Sequence, residues 1–347
     1  MAYTIINKST DYFNTKLYTG NGSTGHAITG VGFQPDLLWL KPRSTTGYHR
    51  LFDAVRGAGY QLYSNTTSAS GLDTNQMSAF NSDGFTLGNE TGSNANGTTF
   101  ASWNWLGSNT TAANTDGSIS STVSANTTSG FSIVKYTGNR SQTQTIGHGL
   151  GSIPKIIIVK NLDVTQGWTV YSSEIGANER LVLNNTNAKG TCTACFGNTR
   201  PTDTVFTVGD DADTNGTGNA MIAYCFSEKQ GYSKFGSYIG NGNADGTFVY
   251  TGFSPAFVMM KNASLGGKWL MMDNKRPTSG GNPNNARLFA DVDNVESTSS
   301  NMIDMLSNGF KITTSDTDHN GNGDTNIYMA FAEAPLVGTN GVTAKAR

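Results

Sequence analysis

One stretch of this chain occurs three times. It reads YTGNGSTGHAITGVGFQPDLLWLK over residues 18–41, YTGNRSQTQTIGHGLGSIPKIIIVK over 136–160 and YIGNGNADGTFVYTGFSPAFVMMK over 238–261. Each copy runs from an aromatic-Thr/Ile-Gly-Asn turn to a proline, a short apolar run and a lysine. Pro35, Pro154 and Pro255 each precede their lysine, Lys41, Lys160 or Lys261, by six residues. Self-similarity at fixed spacing constrains a fold more than composition does, because each copy must solve the same folding problem.

The apolar runs 37–40, 156–159 and 257–260 are continuous and short, which suits a strand covered on both faces. The Asn-Gly pairs Asn21-Gly22 and Asn241-Gly242 read as type I′ hairpin turns, where both central residues take positive φ. Tyr48, Trp168 and Trp269 then open a second strand after their lysines. Leu62, Leu181 and Leu288 mark a third, and Phe85, Phe206 and Phe310 a fourth. Each copy closes with large apolar residues at alternate positions: Ala101, Trp103 and Trp105; Ile222, Tyr224 and Phe226; Ile327, Met329 and Phe331. A period of two predicts a strand with one buried face. Helical periodicity is confined to 301–307, NMIDMLS, which predicts a turn or two of helix.

With 347 residues the chain is long enough for several cores. Glycine, at 42 residues, and abundant Asn, Thr and Ser supply turns, while aromatics at 10% supply cores, so the class expected is all-β rather than disordered. The organisation predicted is three tandem, internally repeated β-sandwich domains, immunoglobulin-like or jelly-roll-like, over 17–107, 130–228 and 229–333. They are flanked by an N-terminal arm (1–16), a polar linker (108–129) with an edge strand at 118–123, and a C-terminal tail (334–347). The shorter joint, 228–234, predicts that the second and third copies hold each other more tightly than either holds the first.

Net charge is -2 and charged residues are 14%, without a basic cluster, so neither nucleic acid nor an anionic membrane is an expected partner. No window is apolar enough to predict membrane insertion. MAYTIINKST lacks the basic and apolar regions of a cleaved export signal.

The candidate chemistry is sparse. Asp211, Asp213 and Asn215, followed by Gly216, and Asp316, Asp318 and Asn320, followed by Gly321, both spell DxDxNG. This is the first half of a calcium loop, but Ile222 and Ile327 stand where an EF-hand has its bidentate glutamate. A plain Asp/Asn/Gly turn is the competing reading. The first copy offers only Asn94, Asn96 and Gly97. Cys192 and Cys195 form a CxxC without the second pair a zinc site uses, leaving ordinary thiols or a local disulfide. His26, His49, His148 and His319 are expected on the surface, with no serine elbow or triad beside them. The tryptophans raise the question of sugar stacking, yet recurrence in apolar strands predicts burial, with Tyr48 or Tyr63 the ring expected to be exposed. No cofactor is expected apart from the calcium alternative.

The segments YTGNGST, GVGFQPDLLWLKPRS, HRLFDAVRG, FNSDGFTLG and FASWNW, followed by GFSIVKYTG, GHGLGSIPKIIIVK, MIAYCFSEKQGYSKFGSY, YTGFSPAFVMMK, MLSNGFKI and IYMAFAEAP, resemble a family of phage structural proteins, many of them marine, often labelled tail fibre. The resemblance spans essentially the whole chain. It implies lectin-like β-sandwiches in a non-enzymatic virion protein, assembled in the host cytoplasm and bound to other virion proteins. It carries no catalytic or binding residues. A compact tail-fibre knob and a capsid decoration are the two placements, with a homo-oligomer expected and a host-surface glycan as a further partner. A carbohydrate-binding or glycan-degrading tail protein is the alternative. Partners are expected where the copies differ, at 45–59, 187–198 and 277–285.

Overall fold

The computed structural model describes residues 3–277 and 281–337. It is all-β, 44% strand against 5% helix, in several antiparallel sheets. Three large sheets are centred on the three apolar runs: Leu37–Pro42, Pro154–Asn161 and Phe253–Asn262. Each lies beside its closing strand, Thr99–Trp105, Ala220–Ser227 or Thr325–Pro335. Beyond the closing strand comes the strand that leads into the repeated turn, Phe13–Thr19, Phe131–Thr137 or Ser233–Ile239. A small sheet accompanies each large one: His26–Thr29 with Gly84–Leu87 and Met77–Asn81; Gln144–Gly147 with Val205–Val208; and Phe248–Tyr250 with Gly309–Ile312 and Ile303–Leu306.

The continuous apolar runs are covered on both faces, as a strand of that composition requires. Leu38 and Leu40 face their own small sheet, as do Ile157 and Val159, and Val258 and Met260. The alternate residues, Leu37 and Trp39, Ile156 and Ile158, and Phe257 and Met259, all enter one further cluster shared by the three large sheets. Trp105, Phe226 and Phe331 meet there edge to face, with Trp105 and Phe226 at 6.3 Å and Trp105 and Phe331 at 5.6 Å between ring centres. The closing strands are likewise buried on both faces, rather than on one as their alternation predicts. Ser102 and Asn104 look like solvent positions, but Asn104 Nδ2 is satisfied by Asn14 O and Ser102 O.

All three large sheets therefore share one core, and the expectation that the first copy is more loosely held does not describe this arrangement. The segment 108–129 is also more than a linker. Ala112–Asn114 and Ser121–Asn126 extend the second large sheet. Asp36, fully buried in the first copy, fastens this segment by accepting from Gly107 N at 2.8 Å and Ser124 Oγ at 3.0 Å. The arm packs too, with Ile6 and Phe13 in the shared core. Of the expected tail, 334–347, Ala334 and Pro335 end the closing strand and 338–347 lie outside the described residues.

Two local expectations are corrected. Residues 303–306 form a strand, not a helix, because Ile303 and Met305 are buried alternately with the less buried Asp304 and Leu306. The Asn-Gly turns are not hairpins: Gly22 and Gly242 have positive φ but Asn21 and Asn241 do not, so the type I′ condition fails. The strands before and after each turn pair with different sheets, and the turn is a corner between them.

Candidate functional site

The repeated corner explains the first conserved spelling within the chain. Tyr18, Tyr136 and Tyr238 each donate their hydroxyl to a carbonyl of a four-residue helical turn, Ser93 O, Thr214 O and His319 O, at 2.7, 2.5 and 2.6 Å. The next residue in that turn is a buried asparagine, Asn94, Asn215 or Asn320. Its Oδ1 accepts from the backbone of Asn21, Asn139 or Asn241 at 2.9 to 3.0 Å. Its Nδ2 donates to Gly88 O, Gly209 O or Thr314 O. One side chain thus satisfies backbone groups from two crossing segments, which burial makes obligatory.

This places the DxDxNG residues. Asn215 and Asn320 are the buried ties of the corner. Asp211 and Asp316 cap the helical turns, their Oδ1 atoms accepting from Asp213 N and Asp318 N at 2.8 Å. Asp213 is paired with Arg180 Nη1 at 2.6 Å, and Asp318 is a second-position residue of its turn. The first copy makes the same asparagine bonds with Glu90 and Gly92 in the two aspartate positions, so its counterpart is 90–94 rather than 94–97.

The repeated lysines are buried completely. Each reaches a loop of the neighbouring copy: Lys160 Nζ to Thr67 O at 3.3 Å, Lys261 Nζ to Thr186 O at 2.8 Å, and Lys41 Nζ to Asp293 O at 3.3 Å. Two backbone bonds flank each contact. Gln166 N, Gly267 N and Gly47 N donate to those same three carbonyls, and Leu162 O, Ala263 O and Arg43 O accept from Ser70 N, Lys189 N and Glu296 N. First holds third, second holds first and third holds second, so the contacts close a ring. Burial pushes each ammonium group down to about 8.

Trp168 and Trp269 are buried as expected and donate across the same seams, to Tyr63 O at 2.8 Å and Val182 O at 3.0 Å. Their counterpart in the first copy is His49 rather than Tyr48. It lies in line with the lysine one pair beyond Leu40 and Arg50, just as Lys160 pairs with Trp168. His49 is buried and accepts from Trp39 Nε1 at 3.0 Å. Tyr48 turns outward, 45% exposed, with its ring 5.1 Å from that of Tyr63.

A second set of contacts crosses the seams inside the core. Asp53 and Arg56 pair at 2.5 Å with both side chains buried, and Tyr224 from the next copy donates to Asp53 Oδ2 at 2.8 Å. Asp273 and Arg276 do the same, with Trp103 Nε1 of the first copy at 3.0 Å. At the remaining seam the corresponding residues are Ser172, Ile175 and Met329, and Ile175 and Met329 belong to the shared core. Carboxylate, guanidinium and donor have been replaced together, as burial demands when one partner alone would be left unpaired.

The histidine expectation is corrected for three of the four. His49, His148 and His319 are buried, and burial lowers all three below the ordinary histidine range. His148 Nδ1 accepts from Leu150 N at 3.2 Å, and His319 Nε2 lies 3.1 Å from Lys268 O. Of the two alternatives for the CxxC, the structure has the disulfide, between Cys192 and Cys195, while Cys225 is a free, buried thiol.

Surface hollows touch the loops 45–59, 187–198 and 277–285 at one to three residues each. One includes Arg56, Tyr60 and Asp163; another Thr193, Ala194 and Gly197; a third Gly281, Asn282 and Lys275. Residues 278–280 of that third loop are outside the described residues.

Fold and seams together define an all-β protein with three large sheets locked in a ring around one core and dissimilar loops outside it. The chain belongs to the family described as a domain of unknown function (DUF7483), whose model matches residues 8–335. No curated protein and no solved structure matches it.

Proposed function

We propose that this chain is a non-enzymatic structural protein of the bacteriophage particle surface, a compact tail-fibre knob or capsid decoration. In this reading its three units are β-sandwiches of jelly-roll or lectin-like type. The ring forms a rigid body, and the loops 45–59, 187–198 and 277–285 meet other virion proteins, further copies of the chain or a host-surface glycan. The observation that carries the reading is the use made of its polar side chains: lysines, tryptophans and buried aspartates are engaged in holding copies together. The exposed Tyr48 beside Tyr63, with Arg50 5.5 Å from the Tyr63 ring centre, favours a glycan as the ligand of a carbohydrate-binding variant of this role.

Quantitative mass spectrometry of purified particles tests the proposal. The chain is expected in stoichiometric amount, in hundreds of copies for a decoration and in a handful for a knob. Its absence from particles overturns the proposal. Release of oligosaccharides from host polysaccharide by the purified protein replaces it with the glycan-degrading alternative.

A further inference from the structure

Beneath the loop 187–198 the fold assembles three metal-ligating groups that the ring contacts do not use. Cys192 and Cys195 come from the loop, and Asp211 from the start of the helical turn Ala212–Asn215. One carboxylate oxygen and the two sulfurs all lie within 4.8 Å of one another, with Asp211 Oδ2 3.7 Å from Cys192 Sγ. A zinc ion with bonds of about 2.3 Å to sulfur and about 2.0–2.2 Å to oxygen holds its ligand atoms roughly 3.5–3.8 Å apart in a tetrahedron. The separation of Asp211 Oδ2 from Cys192 Sγ already matches it, while the two sulfurs, bonded to each other, must part on reduction.

The carboxylate is placed independently of the sulfurs. Its Oδ1 accepts from Asp213 N at 2.8 Å, and the turn it caps is tied to the corner by Asn215, so Oδ2 is presented to the sulfurs by a fixed element. Arg180 Nη1 lies 3.4 Å from Cys195 Sγ and 2.6 Å from Asp213 Oδ2. An N–H directed at sulfur supports a thiolate. The hollow bordered by Thr193, Ala194, Gly197 and Asp210 opens beside the group. The third copy has the same cap in Asp316 but neither cysteine.

We propose that Cys192, Cys195 and Asp211 form a redox-gated site for a thiophilic divalent cation of the zinc class, closed while the disulfide is intact. A trialkylphosphine opens it in the test tube. The phosphine attacks one sulfur, the S–S bond breaks, and water supplies the oxygen of the phosphine oxide and the two protons of the new thiols. The cation then displaces both thiol protons to solvent and bonds the two thiolates and Asp211 Oδ2, with water in the fourth position. Thiolate ligands select zinc-class ions over calcium, so the ion for this half of the DxDxNG pair differs from the one its spelling suggests.

The test uses the full chain, reduced with phosphine, freed of it under inert gas and titrated with cobalt(II) as the spectroscopic probe, then with zinc. One cobalt per chain is expected, with near-ultraviolet thiolate-to-metal charge transfer, tetrahedral visible bands and displacement by zinc. Unreduced protein and Cys192→Ser give no such spectrum, and Cys225→Ser gives the wild-type one. Asp211→Asn, which retains the capping oxygen and both cysteines, binds at least about ten-fold more weakly. Circular dichroism checks that each variant is folded. The inference is overturned if the disulfide resists reduction in the folded protein, if reduced protein gives no charge transfer, or if Asp211→Asn binds as tightly as wild type.

Discussion

Gly138 has no room for a methyl group: a Cβ there would lie 2.4 Å from Gly216 O, and Gly20 and Gly240 stand in the same relation to Ala95 O and Gly321 O. The glycine of each corner is required by this close backbone approach. Gly138→Ala is expected to destabilise by about 2–4 kcal/mol, since backbone must move and the Asn215 bonds lengthen. Gly190→Ala, where a Cβ meets nothing within 4 Å, changes stability by less than about 0.5 kcal/mol. Urea denaturation of the two variants checks this. The corner was visible in the sequence as a repeated Tyr-x-Gly-Asn, and the DxDxNG period was visible with it. Their connection was not, because Asn139 and Asn215 meet across 76 positions and asparagine in a glycine-rich stretch reads equally well as a turn residue.

Among the elements, the apolar strands were the most legible, since an unbroken run of Ile156 to Val159 leaves no solvent face. The lysine that ends each run was the least. Lysine usually marks an exposed position, and burial of Lys160 is made tolerable by two carbonyls, Asn161 O beside it and Thr67 O 93 residues away. These lysines give the protein an unusual response to alkali. Below about pH 8 they are protonated whether the chain is folded or not. Between about 8 and the ordinary 10.5, the folded protein releases protons that the unfolded chain retains, so stability rises with pH, by up to ~1 kcal/mol per pH unit for each lysine. The Cys225 thiol, raised by burial, opposes this from about pH 9 but offsets only one of the three lysines, and buried tyrosines such as Tyr136 and Tyr224, raised likewise, oppose it above about pH 10. Urea midpoints of wild type should increase from pH 8 to 9.5, and Lys160→Met should show a shallower increase. A flat or falling wild-type profile would rule the lysine assignment out.

Across the whole molecule the seams are the discriminating feature, and they invite exchange of one for another. Asp53→Ala leaves Arg56 buried without its carboxylate and Tyr224 without its acceptor, at a cost of about 3–5 kcal/mol. The triple change Asp53→Ser, Arg56→Ile and Tyr224→Met copies the third seam and is expected to recover to within about 2 kcal/mol of wild type. Thermal unfolding of the single and triple variants decides between a charge network that the ring needs and one that a packed apolar set can replace. That third seam also distinguishes this chain from three separate subunits around an axis. In a homotrimer a single gene edit rewrites every interface at once, and a half-made exchange of carboxylate for serine would be suffered three times over. Joining the copies in one polypeptide lets each junction drift alone while the other two keep the body closed. Ser172, Ile175 and Met329 are what such independence permits.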